Sequence, residues 1–135
     1  MDKINISIKL NEIINDLNKE TYDKALRKLE VLAKQNQNND LINRLFASIY
    51  FKKNNWKSAI EYYEKILFFE KEKFKIYTNI GVAFFNLGKI NKSIESYKKA
   101  IKDNYNFDIA HTNLGISYIE IGEYELATNS FVSAL

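Results

Sequence analysis

Apolar and small residues recur along this chain at intervals of 34 positions. Several ladders of this kind run through the sequence: Phe46, Ile80 and Leu114; Ala47, Gly81 and Gly115; Tyr50, Phe84 and Tyr118; Ala25, Ala59, Ser93 and Ala127; Leu29, Tyr63, Tyr97 and Phe131. A unit of this length buries its apolar face only by stacking on its neighbours, so the recurrence predicts an array of similar units.

Residues 74–107 show what one unit contains. Its first half has the spacing of one helical face, with apolar or small residues at i, i+3, i+4 and i+7: Tyr77, Ile80, Gly81 and Phe84. Gly88 then supplies a stop, because glycine accepts the left-handed conformation that ends helices. A second periodic run follows, made of Ile90, Ile94, Tyr97 and Ile101. The pattern predicts an all-α fold of antiparallel helix pairs joined by tight turns.

This pattern resembles the tetratricopeptide repeat, and the last unit matches it best through His111, Leu114, Gly115, Tyr118, Gly122, Tyr124, Ala127, Phe131 and Ala134. The resemblance implies an α-α right-handed superhelix, a solenoid of about four helix-turn-helix units within a single domain. The predicted units are 1–39, 40–73, 74–107 and 108–135. We expect the first to be divergent, the last to be incomplete and the chain to be a fragment of a longer one.

Two units depart from the pattern at the turn between their helices. Asn54 stands where the later units have glycine, and asparagine is the next-best residue for a positive φ. In the first unit, the apolar run is Leu10, Ile13, Ile14 and Leu17. That register predicts a turn one residue shorter, as expected of an atypical capping unit.

Composition restricts the function classes. The chain has 135 residues, 46% of them hydrophobic, and its net charge of +3 comes from scattered lysines offset by acidic residues. Without a basic block, we expect no nucleic-acid partner. There is no cysteine, no apolar leader and no stretch long enough to span a bilayer. We therefore expect a cytoplasmic protein that does not bind membranes.

Catalytic and cofactor chemistry finds no support in the residues. His111 is the single histidine, and its spacing places it in a slot where the repeat carries a packed aromatic residue. One histidine without cysteine argues against a zinc site, and the sequence has no glycine-rich phosphate loop. We predict that the chain is not an enzyme and binds neither a metal nor a cofactor.

In tetratricopeptide arrays, the first helix of each unit lines the inner, concave wall. Carried onto this sequence, the resemblance predicts a partner-binding groove formed by Arg44, Leu45, Ser48, Phe51, Lys52, Lys75, Thr78, Asn79, Val82, Phe85, Asn86, Ile109, Thr112, Asn113, Ile116 and Ile119. Off-core positions of this kind are normally polar, yet many of these residues are apolar. Two interpretations stay open: the apolar residues bind a partner, or they pack on neighbouring units or on a segment missing from this chain.

Asn79 and Asn113 resemble the asparagine ladder of other tetratricopeptide arrays, which binds the backbone of an extended peptide. The first functional hypothesis is accordingly a protein–protein interaction scaffold or adaptor that holds a peptide segment or partner helix in its groove. The alternative is an N-terminal regulatory or substrate-recruiting arm of a larger enzyme, such as a transferase. The last helix lacks a polar cap, so a homodimer through it is a further expectation.

Overall fold

Helix pairs follow one another through the computed structural model, which describes residues 3–135. In these residues there are eight helices and no strand: α1 Lys3–Asn18, α2 Tyr22–Gln35, α3 Asp40–Lys52, α4 Trp56–Leu67, α5 Lys73–Asn86, α6 Ile90–Asp103, α7 Asp108–Glu120 and α8 Tyr124–Ser133. The predicted all-α class is confirmed. Each predicted repeat range holds one pair, except that α5 begins one residue before its range.

The turns inside the four pairs share one backbone geometry. A residue with positive φ occupies each turn, at Glu20 (59°), Asn54 (59°), Gly88 (76°) and Gly122 (78°). These positions are 34 residues apart, which matches the period of the sequence. The prediction for Asn54 is confirmed. The left-handed residue reverses the chain and lets the following backbone N–H groups bond to the end of the first helix.

The expectation of a shorter turn in the first pair is wrong, because Glu20 keeps the register of the other units. What changes is the buried face of α1. Leu10, Ile13 and Asp16 are buried, whereas the predicted core residue Ile14 is 40% exposed. The Asp16 carboxylate lies 2.8 Å from the Lys28 ammonium group, and this ion pair allows an acidic residue on the buried face.

The described chain divides into two compact units, with the boundary between residues 66 and 67. The core of the first is built from α1, α2 and α3, with residues such as Ile13, Leu29 and Ile42. The core of the second joins α6, α7 and α8 through Tyr97, Leu114 and other side chains. The single domain expected over residues 1–135 stays a prediction.

Glycines allow the helices of the second unit to approach closely. A Cβ atom at Gly81 would lie 2.4 Å from the Tyr97 ring, and one at Gly115 would lie 2.6 Å from the Phe131 ring. Both distances are too short for real contacts, so the aromatic rings occupy the space that the missing side chains leave. These contacts hold α5 against α6 and α7 against α8.

Candidate functional site

An apolar pocket of about 160 Å³ opens between α5, α6 and α7 in the second unit. Its lining is Val82, Phe85, Tyr97, Asn113 and Ile116. Four of these five residues belong to the predicted inner-face positions. A spacing of three residues, from Val82 to Phe85 on α5 and from Asn113 to Ile116 on α7, places each pair on one face of its helix.

Tyr97 is the lining residue that sequence reasoning assigned only to the core. It is 2% exposed, and its ring lies against Gly81 at the base of the pocket. Burial raises the pKa of the Tyr97 hydroxyl well above its usual value. The repeat pattern could not separate a core residue from one that also forms the floor of a pocket.

A stripe of isoleucines continues from the pocket along α7. Ile109, Ile116 and Ile119 are 51%, 42% and 45% exposed. Thr112 beside them is exposed as well, and Asn113 is half-buried. Three partly exposed isoleucines on one helical face are more apolar surface than a solvated helix normally presents.

The remaining predicted residues of α5 differ in how much surface they offer. Thr78 is only 4% exposed, and its hydroxyl donates to the Phe74 carbonyl at 2.7 Å. A ligand could therefore contact little of the Thr78 side chain. Lys75 is exposed and forms an ion pair with Glu72 at 2.7 Å, which raises the pKa of the lysine.

Two amide side chains complete the inner positions of α5. Asn79 is half-buried, whereas Asn86 is exposed. The Asn86 amide donates to the Val82 carbonyl at 2.9 Å, which ties its side chain to the end of the helix. Val82 itself is half-buried and packs partly on the core of its unit. The inner positions of α5 therefore combine apolar side chains with amides and one paired charge.

In the first unit, the predicted residues of α3 have partners within their own helix pair. Phe51 contacts Trp56 and Tyr63 edge to face, at centroid distances of 5.2 and 6.1 Å. The Nε of Arg44 donates to the Asp40 carboxylate at 2.7 Å, an i, i+4 ion pair.

The other predicted positions of α3 range from packed to exposed. Leu45 packs partly on the core of its unit. Ser48 is half-buried and Lys52 is exposed. A role for these three residues in binding stays a prediction.

Other candidate chemistry is accounted for by packing. His111 is 4% exposed, and its Nε2 donates to the Tyr105 carbonyl at 2.7 Å, as expected of a structural histidine. Among residues 3–135, no group of three or more histidine, cysteine or acidic side chains could hold a metal ion. Within the same residues, no helix combines the length and the apolar character needed to cross a bilayer.

Comparison with known proteins places this geometry in a family context. A family model described as TPR repeat matches residues 81–122, and one described as Tetratricopeptide repeat matches residues 45–67. No curated protein sequence matches the chain. The first match covers the end of α5, all of α6 and all of α7, the three helices that line the pocket.

Solved structures of MamA share the fold. The structure named MamA MSR-1 C2 is 22% identical, with a TM-score of 0.86, and the match covers 99% of this chain and 78% of that one. For the MamA RS-1 ArsTM double mutant the identity is 18%, the TM-score 0.88 and the coverage 98% and 75%. For MamA 41-end from Desulfovibrio magneticus RS-1 the values are 18%, 0.86, 93% and 71%. At these identities, the likeness confirms the helical-repeat fold.

Proposed function

From the premise that this chain belongs to the tetratricopeptide repeat family, we propose that it is a non-enzymatic interaction module that binds a peptide segment against α5 and α7. The family match supports a role in protein–protein interaction in general. The finer proposal names the surface: the pocket between α5, α6 and α7, together with the isoleucine stripe on α7. A scaffold or adaptor function follows if the bound segment belongs to another protein.

The size and lining of the pocket carry the proposal. Its volume is about 160 Å³. A protein cavity of roughly 150 Å³ with an apolar lining accepts a benzene molecule. The pocket therefore suits one aliphatic or aromatic side chain of a peptide, held by Val82, Phe85 and Ile116.

The polar groups beside the pocket suit a peptide backbone. Asn113 lies in the lining, and its amide can both donate to and accept from a main chain. An apolar side chain and a backbone bond together fix a peptide without demanding a particular charge. We extend the surface by proposal to Asn79 of α5.

The experiment compares two serine variants of exposed isoleucines. A random peptide library is selected on the intact chain, and the affinity of a selected peptide is measured by fluorescence polarisation. Ile116→Ser should weaken binding roughly 30-fold, as for a central anchor residue. Ile14→Ser is the control, because Ile14 is similarly exposed at 40% but lies on α1.

The outcome distinguishes a binding surface from a packing surface. Because Ile116 is 42% exposed, its variant should melt within a few degrees of the parent. Equal affinity of the Ile116 and Ile14 variants for selected peptides contradicts the proposal. So does a loss of affinity that accompanies an equal loss of folded protein.

A further inference from the structure

A second groove lies on α7 away from the pocket described above. It has a volume of about 250 Å³ between α6 and α8, and Leu114 and Tyr118 of α7 contribute to its lining. We call it the α6–α8 groove. Leu114 and Tyr118 point to the side of α7 opposite Asn113 and Ile116, because successive residues of a helix turn by about 100°. The two cavities therefore do not share a mouth.

The first unit contains the same three positions 68 residues, or two repeat lengths, earlier. Leu114, Tyr118 and Ser130 of the α6–α8 groove correspond to Phe46, Tyr50 and Tyr62. In the first unit the three rings stack: the centroid of Tyr62 is 4.6 Å from that of Phe46 and 5.7 Å from that of Tyr50. Tyr62 thus fills with its own ring the place that corresponds to the α6–α8 groove.

Ser130 leaves that place open. Its hydroxyl donates to the Leu126 carbonyl at 3.0 Å, so the short side chain turns back to its own helix. The groove that results exceeds the roughly 150 Å³ of a cavity that accepts benzene. Tyr118 lines the groove, and the Lys98 ammonium group lies over its ring at 6.0 Å from the centroid, so an entering aromatic ring can contact the part of Tyr118 that the groove exposes. The space therefore has the size and one wall of an aromatic binding site.

The charge at the rim is reversed between the two units. In the first unit Glu61 and Glu30 lie near Tyr62, and they add to burial in raising the pKa of its hydroxyl. The corresponding residues of the second unit are Asn129 and Lys98. Both line the α6–α8 groove, and Lys98 is the charged residue among the described side chains of the lining. A ligand with negative charge beside its ring is favoured.

We propose that the α6–α8 groove binds an aromatic side chain of a partner peptide, with an acidic residue of that peptide beside Lys98. The ring takes the place that Tyr62 occupies in the first unit. The acidic neighbour pairs with the lysine that replaces Glu30. This site is separate from the pocket between α5, α6 and α7, so an adaptor with both sites holds two segments at once.

The test uses short peptides of defined sequence and NMR spectra of the intact chain. Acetyl-Glu-Tyr-Glu-amide should shift the resonances of Leu114, Tyr118 and Ser130. Acetyl-Glu-Leu-Glu-amide and acetyl-Lys-Tyr-Lys-amide should bind at least about tenfold more weakly, because one lacks the ring and the other repels Lys98. Equal affinity of the leucine peptide overturns the aromatic site, and tighter binding of the lysine peptide overturns the role of the charge.

Two variants separate the groove from the rest of the molecule. Ser130→Tyr should place a ring in the groove, as Tyr62 does in the first unit, and abolish binding while the melting temperature holds or rises. Thr128→Tyr adds the same ring at an exposed position of α8 outside the groove and should bind as the parent does. Undiminished binding by Ser130→Tyr overturns the proposal.

A third variant covers the case in which Ser130→Tyr does not fold. Leu126→Glu changes a wall residue that is 44% exposed, so the fold should tolerate it. It should weaken the tyrosine peptide about tenfold, because it removes an apolar wall and repels the acidic residues of the peptide. Ile116→Ser, in the other pocket, should leave the titration unchanged. If Ile116→Ser removes the shifts instead, the peptide occupies the pocket between α5, α6 and α7, and the α6–α8 site is refuted.

Discussion

Replacing Glu20 by glycine should stabilise the protein, although it removes a side chain from a surface turn. Glu20 has φ of 59°, in the left-handed region, at the position where two later units have glycine. A residue with a Cβ atom in this conformation is disfavoured by roughly 1–2 kcal/mol. Glycine loses about 0.5–1 kcal/mol through its greater freedom in the unfolded chain. The expected gain is therefore about 0.5–1 kcal/mol in the free energy of unfolding.

Two further variants isolate the backbone contribution. Gly88→Ala at the equivalent turn should lower the free energy of unfolding by about 1 kcal/mol, because φ is 76°. An added Cβ would meet nothing within 4 Å, so this loss comes from the backbone conformation alone. Lys19→Gly places glycine beside the left-handed position and should destabilise by about 0.5–1 kcal/mol. Substitution by glycine should therefore raise the free energy of unfolding at Glu20 and lower it at Lys19.

Urea unfolding followed by circular dichroism measures all three variants. The slope of the transition should stay constant, so that the midpoint alone reports the free energy. If Glu20→Gly and Lys19→Gly are equally destabilising, the left-handed geometry at Glu20 is wrong. The shared turn geometry of the four helix pairs would then fail at the first pair.

The remaining predictions concern a close helix contact and an ion pair. Gly115→Ala should destabilise the second unit by about 1 kcal/mol in thermal melts, because overpacking against Phe131 outweighs the better helix propensity of alanine. Adding Phe131→Leu to this variant should restore most of the lost stability. Lys28 bonds to Asp16 and holds the pKa of that carboxyl below its usual value of 3.8, so the pair stabilises the fold above about pH 4 and is lost on acidification. The stability difference between the parent and Lys28→Met should therefore shrink below pH 4 in denaturant titrations, and a constant difference would contradict the ion pair.

The repeat period was enough to predict the helix pairs and the turns of the last three pairs, whereas the shorter turn expected of the first pair was wrong. Asn54 shows why the later turns could be predicted: asparagine and glycine tolerate a positive φ better than other residues, so either one at the repeat interval predicts a left-handed turn. The facing positions of α5 and α7 could be predicted for the same reason, since helical spacing determines which side chains share a face. Val82, Phe85, Asn113 and Ile116 lie together in one pocket.

Features that depend on partners far apart in sequence could not be predicted. Asp16 reads as a surface residue until Lys28 is found beside it. Tyr97 reads as a core position of a ladder, because apolar periodicity does not reveal whether a neighbouring ring fills the adjoining space. The α6–α8 groove emerges only when Ser130 is compared with Tyr62 in three dimensions.

The most direct test of peptide binding by the inner face is an NMR spectrum in which only the isoleucine methyl groups are labelled. Addition of a library-selected peptide should shift the methyl signals of Ile116 and Ile119, which are partly exposed on α7, and leave those of Ile14 and Ile60 in place. Shifts confined to isoleucines outside α5 and α7 would contradict the account.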